Sequence, residues 1–81
     1  MSVVPPAVAA LVGLLSGVTG STSRVTKESH GYRVTCPLPA ELSDTARSDL
    51  LAVLTQADRY GHARSVDGDS VWVEIDRKAA L

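Results

Sequence analysis

The sequence lacks most of the residues that build a thick hydrophobic core. Its 81 residues include no phenylalanine, one tryptophan and two tyrosines. Because aromatic side chains bury the most area per residue, their scarcity predicts a thin core of valine, leucine and alanine. A domain of this length lies near the lower limit for independent folding, and such domains are often stabilised by a disulfide, a metal or a partner subunit.

Cysteine and histidine are too scarce to form an internal disulfide or a structural metal site. Cys36 is the only cysteine, which precludes an internal disulfide and fits a reducing compartment. The two histidines, His30 and His62, do not join it in the ligand spacing of a structural zinc site. We therefore predict that the protein binds no metal or other cofactor. We also predict that a partner subunit stabilises it. A homodimer is favoured, and a heterologous protein partner is the alternative.

Charge is absent from the start of the chain. Residues 1–23 contain no charged side chain, whereas all eight basic and nine acidic residues lie in 24–81. This break predicts an apolar helical segment over 1–20, for oligomerisation or anchoring, and a small α+β domain over 21–81. The net charge of −1 gives no general attraction to nucleic acid or anionic lipid. The richness in alanine, valine and arginine is typical of high-GC bacteria.

Residues 7–18 are almost entirely apolar and predict a helix. Proline is favoured in the first turn, so the helix can begin at Pro5 or Pro6, and Gly17 or Gly20 can end it. Three interpretations stay open. A membrane span needs roughly 20 apolar residues, and a secretory signal needs a basic segment that is missing here. A helix in the core or interface of a cytoplasmic protein is therefore favoured over a membrane-associated or secreted one.

One side of this helix carries a stripe of small residues. Ala9, Gly13 and Gly17 recur every four positions, a spacing that lets two helices approach closely. Leu14 would add apolar contact area beside the stripe. We predict that these four residues, together with Trp72, belong to the interface of a self-associating protein, since tryptophan is enriched at binding hot spots.

Two β-hairpins are predicted in the rest of the chain, because apolar and polar residues alternate there as they do in half-buried strands. The four predicted strands cover residues 24–27, 32–36, 62–66 and 70–76. The first two strands flank a turn at 28–31. The last two flank Asp67-Gly68-Asp69, whose Asp-Gly dipeptide is typical of tight hairpins. Residues 77–81 are expected to form a frayed tail.

A second helix is predicted between the two hairpins. Its apolar residues recur at helical spacing and are Leu42, Ala46, Leu50, Val53, Leu54 and Ala57. The helix can begin at Pro39 or, more conservatively, after Ser43 as N-cap with Asp44 in the first turn. Gly61 is placed to end it at Tyr60.

The order of these elements predicts an α+β fold. The N-terminal apolar helix is followed by a β-β-α-β-β two-layer arrangement, with α-β-α-β-β as the fallback if the first hairpin fails. Val71, Val73 and Ile75 should pack under the second helix, and Trp72 should lie on the opposite face of the sheet. Because the second helix already covers one face, we expect the N-terminal helix, from the same subunit or a neighbour, to cover Trp72.

Few residues suggest catalysis. Cys36 with His30 or His62 is the only nucleophile–base combination. Cys36 alternates with Val34 on a buried strand face, which predicts a structural cysteine. His62 follows the predicted end of the second helix, where a histidine can cap the last carbonyls, and His30 lies in a turn. We predict that the protein is not an enzyme.

The favoured function is a small non-catalytic interaction and oligomerisation module, a self-associating component of a larger assembly or regulatory pair. Arg24, Lys27 and Arg33 form a small basic set on the first hairpin and suggest a nucleic-acid-binding regulator or antitoxin-like dimer as one alternative. Acidic residues on the second helix would repel phosphate and weaken that alternative. A membrane-associated small domain is the other alternative.

Overall fold

The computed structural model describes residues 4–77. Its helices and strands are α1 (Pro6–Thr19), β1 (Arg24–Glu28), β2 (Gly31–Pro37), α2 (Asp44–Leu54), β3 (Arg59–Ser65) and β4 (Gly68–Asp76). The strands form one antiparallel sheet in the order β1-β2-β4-β3. The predicted α+β fold, with an N-terminal helix before a β-β-α-β-β two-layer arrangement, is confirmed. Most of the expected C-terminal tail lies outside the described residues.

The ends of α1 follow from proline and glycine, as predicted. Pro6 is the first helical residue, where its missing N–H group would have no partner in any case. Gly20 adopts a left-handed conformation with φ of 71° and donates its backbone N–H to the carbonyl of Ser16. Neither α1 nor α2 has the length and hydropathy needed to cross a membrane.

Thr19 connects the end of α1 to the sheet. Its buried hydroxyl donates a hydrogen bond of 2.8 Å to the carbonyl oxygen of Leu15. The same oxygen lies 3.2 Å from the sulfur of Cys36 in β2 and accepts a 3.1 Å hydrogen bond from the backbone N–H of Ser21. A buried polar group is stable only when it is hydrogen-bonded, and Thr19 meets this condition within its own subunit.

One core lies between both helices and one face of the sheet. Its buried residues are Val8, Leu11, Leu15, Val34, Cys36, Leu50, Val53, Leu54, Val71 and Val73. Leu15, Val8, Val34, Val73 and Cys36 are the largest of the fully buried side chains. The core is therefore built from aliphatic residues and one thiol, with three of its members supplied by α1.

The position of α1 corrects one form of the prediction for Trp72, in which the N-terminal helix of the same chain would cover it. α1 packs beside α2 on the same sheet face, and its residues share the core with Val34 and Val73. The outer strands of a four-stranded sheet lie about 14 Å apart, and packed helices need about 8–10 Å between their axes. The sheet is thus wide enough for two helices side by side, and neither helix of residues 4–77 lies over the face of Trp72.

The end of α2 corrects a second prediction. Ser43 is the N-cap, as expected, and its hydroxyl accepts a 3.0 Å hydrogen bond from the N–H of Ala46. The helix then ends at Leu54 rather than at Tyr60. Residues 55–58 form turns, and β3 then begins at Arg59 and pairs with β4 along its whole length. Threonine, aspartate, tyrosine and glycine in this segment favour helix weakly, so the strand ladder determines its conformation.

Gly61 is a strand residue rather than the predicted helix cap. It lies opposite Trp72 in the β3–β4 pair. A Cβ atom at position 61 would stand only 2.5 Å from the indole ring, so the ring occupies the space that a side chain would need. Aromatic rings that lie across a cross-strand glycine compensate for its missing contacts and help to define strand register.

We predict that Gly61→Ala destabilises the protein by about 1–3 kcal/mol, the usual cost of overpacking. The reason is the clash with Trp72, so the effect should depend on that ring. In a Trp72→Ala background, the same Gly61→Ala change should be neutral or stabilising by up to about 1 kcal/mol, because alanine loses less backbone entropy than glycine on folding. Urea unfolding of the four proteins in this double-mutant cycle measures the coupling. Equal effects of Gly61→Ala in the two backgrounds would contradict the proposed contact.

Candidate interaction surfaces

The side of α1 that faces away from the sheet has no polar side chain. Its exposed residues, here called the α1 outer face, are Pro6, Ala7, Ala9, Ala10, Gly13, Leu14 and Gly17. Leu14 is 43% exposed. The polar side chains of the helix belong to Ser16, which is half-buried, and to Thr19, which is buried. The apolar character noted in the sequence is therefore presented to solvent on one side of the helix.

The small-residue stripe lies on this outer face. At 100° per residue, Ala10, Gly13 and Gly17 point almost directly away from the buried side of α1. Apart from the adjoining residues and the backbone of α1 itself, no atom of the described chain lies within 4 Å of the position that a Cβ would take at Gly13 or Gly17. The structure therefore places the predicted residues Ala9, Gly13, Leu14 and Gly17 together on one accessible surface.

Trp72 lies on the other side of the molecule. It belongs to the sheet face opposite the helices, here called the open sheet face, whose principal side chains are Arg24, Arg33, Arg59, Trp72, Glu74 and Asp76. Its ring is half-buried, crosses Gly61, and carries the Arg33 guanidinium at 4.4 Å from the ring centroid. These contacts account for its position within one subunit. Trp72 and the α1 outer face therefore do not form one continuous surface. A role for Trp72 in an interface stays a prediction.

Glu74 is the centre of an ionic network on the open sheet face. Its carboxylate is 3.2 Å from Arg33, 3.0 Å from Arg59 and 3.6 Å from His30, and its side chain is only 13% exposed. Arg59 also donates hydrogen bonds to both carboxylate oxygens of Asp76. The sequence interpretation missed this network. The alternation along β4 places Glu74 beside Trp72, but the positions of Arg33 and Arg59 depend on strand register.

The network shifts the ionisation of its members. Hydrogen bonds from Arg59 hold the pKa of Glu74 below its ordinary 4.5 and the pKa of Asp76 below its ordinary 3.8. Hydrogen bonds to Asp76, which has the larger effect, and to Glu74 hold the pKa of Arg59 above its usual value. Hydrogen bonds to a charged form stabilise that form, which is the cause of all three shifts. Glu74 and Asp76 are therefore ionised near neutral pH, and Arg33 and Arg59 balance their charges.

The basic set predicted on the first hairpin is divided between the two sides of the sheet. Arg24 and Arg33 lie on the open sheet face, because they are paired with Thr35 and Thr26. Lys27 is paired with Tyr32 and lies on the face that the helices cover. Cross-strand partners share a face, so the three cations do not form one patch. Arg33 is also paired with Glu74, which reduces its attraction for phosphate.

Neither histidine contacts Cys36. The thiol is fully buried, and its polar neighbours are the hydroxyl of Thr19 and the backbone carbonyls of Ser21 and Pro37. His62 lies in β3, with its Nε2 3.4 Å from a carboxylate oxygen of Asp69. The predicted role of His62 as a helix cap is wrong, because α2 ends before the strand begins. Among residues 4–77, no three His, Cys, Asp or Glu side chains gather as a metal site requires.

A groove lies between α2 and the β3 end of the sheet. It has a volume of about 420 Å³, and its floor includes Leu50, Leu54 and Val71. This volume falls in the range of ligand-binding sites. Two arginines, Arg47 and Arg64, line it together with His62 and a single carboxylate, Asp69. The groove is here called the α2 groove. Sequence analysis did not find it, because its walls meet only after β3 pairs with β4.

No family model matches the sequence, and no curated protein or solved structure matches it either.

We predict that Arg59→Gln makes the free energy of unfolding depend less strongly on pH in the acid range. Because the pKa values of Glu74 and Asp76 are lowered in the folded state, their contribution to stability is complete above their ordinary values of 4.5 and 3.8. It is lost as the pH falls through the lowered folded values, at which the carboxylates take up protons. The Arg59→Gln variant should be less stable than the wild type at pH 7. Its free energy of unfolding should also fall less than that of the wild type as the pH is lowered.

Denaturant unfolding at neutral pH and at several pH values below 4.5 measures this difference. Arg64→Gln is the matched control, since it removes an arginine from the same strand whose partner is Asp69 instead. The control should follow the acid dependence of the wild type. Parallel curves for Arg59→Gln and the wild type would show that the network does not lower the two carboxylate pKa values.

Proposed function

We propose that this protein is a small non-catalytic interaction module that self-associates as a homodimer through the α1 outer face. One observation carries the proposal. Every exposed residue of a 14-residue helix is apolar, from Pro6 to Gly17. Monomeric proteins in water rarely expose a continuous apolar patch of this kind, and such patches are typical of interaction sites.

A second copy of the chain is the partner that fits this surface. Small residues at Ala10, Gly13 and Gly17 allow two helices to approach closely along their length, which is about 21 Å for a helix of this size. The surface carries no charge that would repel an identical surface or call for a complementary one. A two-fold axis across α1 then gives an isologous interface, the commonest arrangement in homo-oligomers.

The same contact would strengthen a fold whose core is small. Each subunit already buries Val8, Leu11 and Leu15 of α1 against its own sheet. Pairing of the opposite side would place α1 between two subunits and bury its remaining apolar surface. Burial stabilises by about 25 cal/mol for each Å² of apolar surface removed from water. Dimerisation would therefore provide the stabilisation by a partner subunit that the sequence predicts. It would leave the α2 groove and the open sheet face accessible to other components of an assembly.

The nucleic-acid alternative receives less support from the geometry. Lys27 lies apart from Arg24 and Arg33, and Arg33 is neutralised by Glu74. Binding to the surface of a membrane would use the same α1 outer face as dimerisation, so it is treated as an alternative outcome of the experiment below.

We predict that Ala10→Glu weakens the proposed dimer. Ala10 lies at the centre of the exposed side of α1 and contributes nothing to the core. A glutamate there leaves the subunit folded, yet it would have to be buried without a partner in the dimer. Sedimentation velocity at about 100 µM should show a dimer for the wild type and at least a tenfold weaker association for the variant, equivalent to about 1.4 kcal/mol.

Ala52→Glu is the matched control, because Ala52 is an exposed alanine in the last turn of α2. It should sediment as the wild type does, and both variants should keep the wild-type circular dichroism spectrum. Deletion of residues 1–20 is unsuitable, because it would remove three core residues. A monomeric wild type refutes the proposal, as does a wild type that floats with phosphatidylcholine vesicles without forming dimers.

A further inference from the structure

The α2 groove lies beside an unpaired edge of the sheet. β3 is the last strand in the order β1-β2-β4-β3, and within residues 4–77 it pairs with β4 alone. Its other side carries backbone N–H and C=O groups that have no strand partner in the described chain. Six of its seven residues are exposed. Such an edge can accept an additional strand from another polypeptide, through backbone hydrogen bonds that do not depend on sequence.

Side chains of β3 connect this edge to the groove. His62 and Arg64 lie on the helix-covered side of the sheet, since His62 is paired with Val71 and Arg64 with Asp69. A strand added beside β3 would place every second side chain on that same side. Those side chains would meet the mouth of the groove, where Leu51 of α2 is 53% exposed.

The charge of the groove favours an acidic partner. Its lining contains Arg47 and Arg64 against one carboxylate, Asp69. Asp69 is already 3.4 Å from both Arg64 and His62. Arg47 has no carboxylate partner among the described residues. An approaching carboxylate would therefore find one uncompensated cation above an apolar floor.

We propose that β3 and the α2 groove bind an extended peptide segment of a partner protein that presents an apolar and an acidic side chain two residues apart. The backbone of the segment extends the sheet at β3. Its apolar side chain contacts Leu51 and Leu54, and its carboxylate faces Arg47 or Arg64. The spacing of two residues follows from strand geometry, because residues i and i+2 point to the same side.

The opposite edge of the sheet does not offer the same combination. β1 is also unpaired on its outer side within the described residues, and it carries Arg24 and Lys27. The α2 groove is bounded by β3 and β4 and includes no residue of β1. A peptide that recognises only a free strand edge would use both edges, whereas one that also requires the groove would select β3. This difference provides an internal control.

The experiment uses the full chain and a fluorescein-labelled peptide, Gly-Thr-Leu-Thr-Glu-Thr-Gly, whose leucine and glutamate lie on one side of a strand. Fluorescence anisotropy is measured up to about 1 mM protein, which is sensitive to weak binding. The control peptide, Gly-Thr-Thr-Leu-Glu-Thr-Gly, has the same composition but places the leucine and glutamate on opposite sides. We expect the first peptide to bind at least about tenfold more tightly than the control, and binding to weaken as salt is added.

Protein variants locate the site. Arg64→Glu should weaken binding at least about tenfold, because it reverses one charge at the groove and repels the peptide carboxylate. Arg24→Glu makes the same change on β1 and should leave the affinity unchanged. Amide chemical shifts of the wild type should change along β3 and around Leu51 when the peptide is added. Circular dichroism verifies that both variants are folded.

Three results would overturn the inference: equal affinities for the two peptides, an equal loss in the two variants, or chemical shift changes confined to β1 or to the open sheet face. Peptide that dissociates the wild-type dimer would also overturn it, because β3 would then be occupied by a second copy of the chain. The Ala10→Glu variant should bind the peptide as the wild type does. Its behaviour separates this inference from the dimer proposed through α1, which can fail independently.

Discussion

Burial of one face of a four-stranded sheet under two short helices is the interaction on which the rest of the structure depends. Val34, Cys36, Val71 and Val73 line the centre of that face, and each helix supplies three buried residues above it. With no phenylalanine in the chain, the core needs both helices to exclude water from these strands. The placement of α1 beside α2 is therefore required for stability, and it determines which surfaces are left for interaction.

The two sides of the sheet are stabilised by different means as a result. The helix-covered side depends on aliphatic packing, with Thr19 and Cys36 in polar contact where α1 meets β2. The open sheet face depends on Trp72 lying across Gly61 and on the ionic network around Glu74. A half-exposed tryptophan often indicates a binding site. Here Trp72 also has intramolecular contacts with Gly61 and Arg33, and its role in an interface stays a prediction.

The α1 outer face and the α2 groove differ in chemistry and suit different kinds of contact. The α1 outer face is uncharged and rich in small residues, and a second copy of the chain is its proposed partner. The α2 groove combines an apolar floor with an excess of positive charge and lies beside a free strand edge, which favours an extended acidic segment from another protein. The surfaces lie on separate elements, so the proposed dimer would present two grooves. Paired sites of this kind increase the avidity for a partner that also presents two segments.

The sequence by itself determined the local elements and their faces. Pro6 and Gly20 define the ends of α1, Ser43 begins α2, and the alternation along β4 places Val71 and Val73 opposite Trp72. Local conformation and capping decide these features, so they can be predicted from neighbouring residues. Only the tertiary structure decided where α2 ends, where α1 packs, and that Arg33, Arg59 and Glu74 meet. Each of these depends on contacts between distant segments. The pairing of β3 with β4 outweighs weak helix propensity and forms one side of the α2 groove, whereas the network needs β4 to pair with both β2 and β3. The width of the assembled sheet decides where α1 packs.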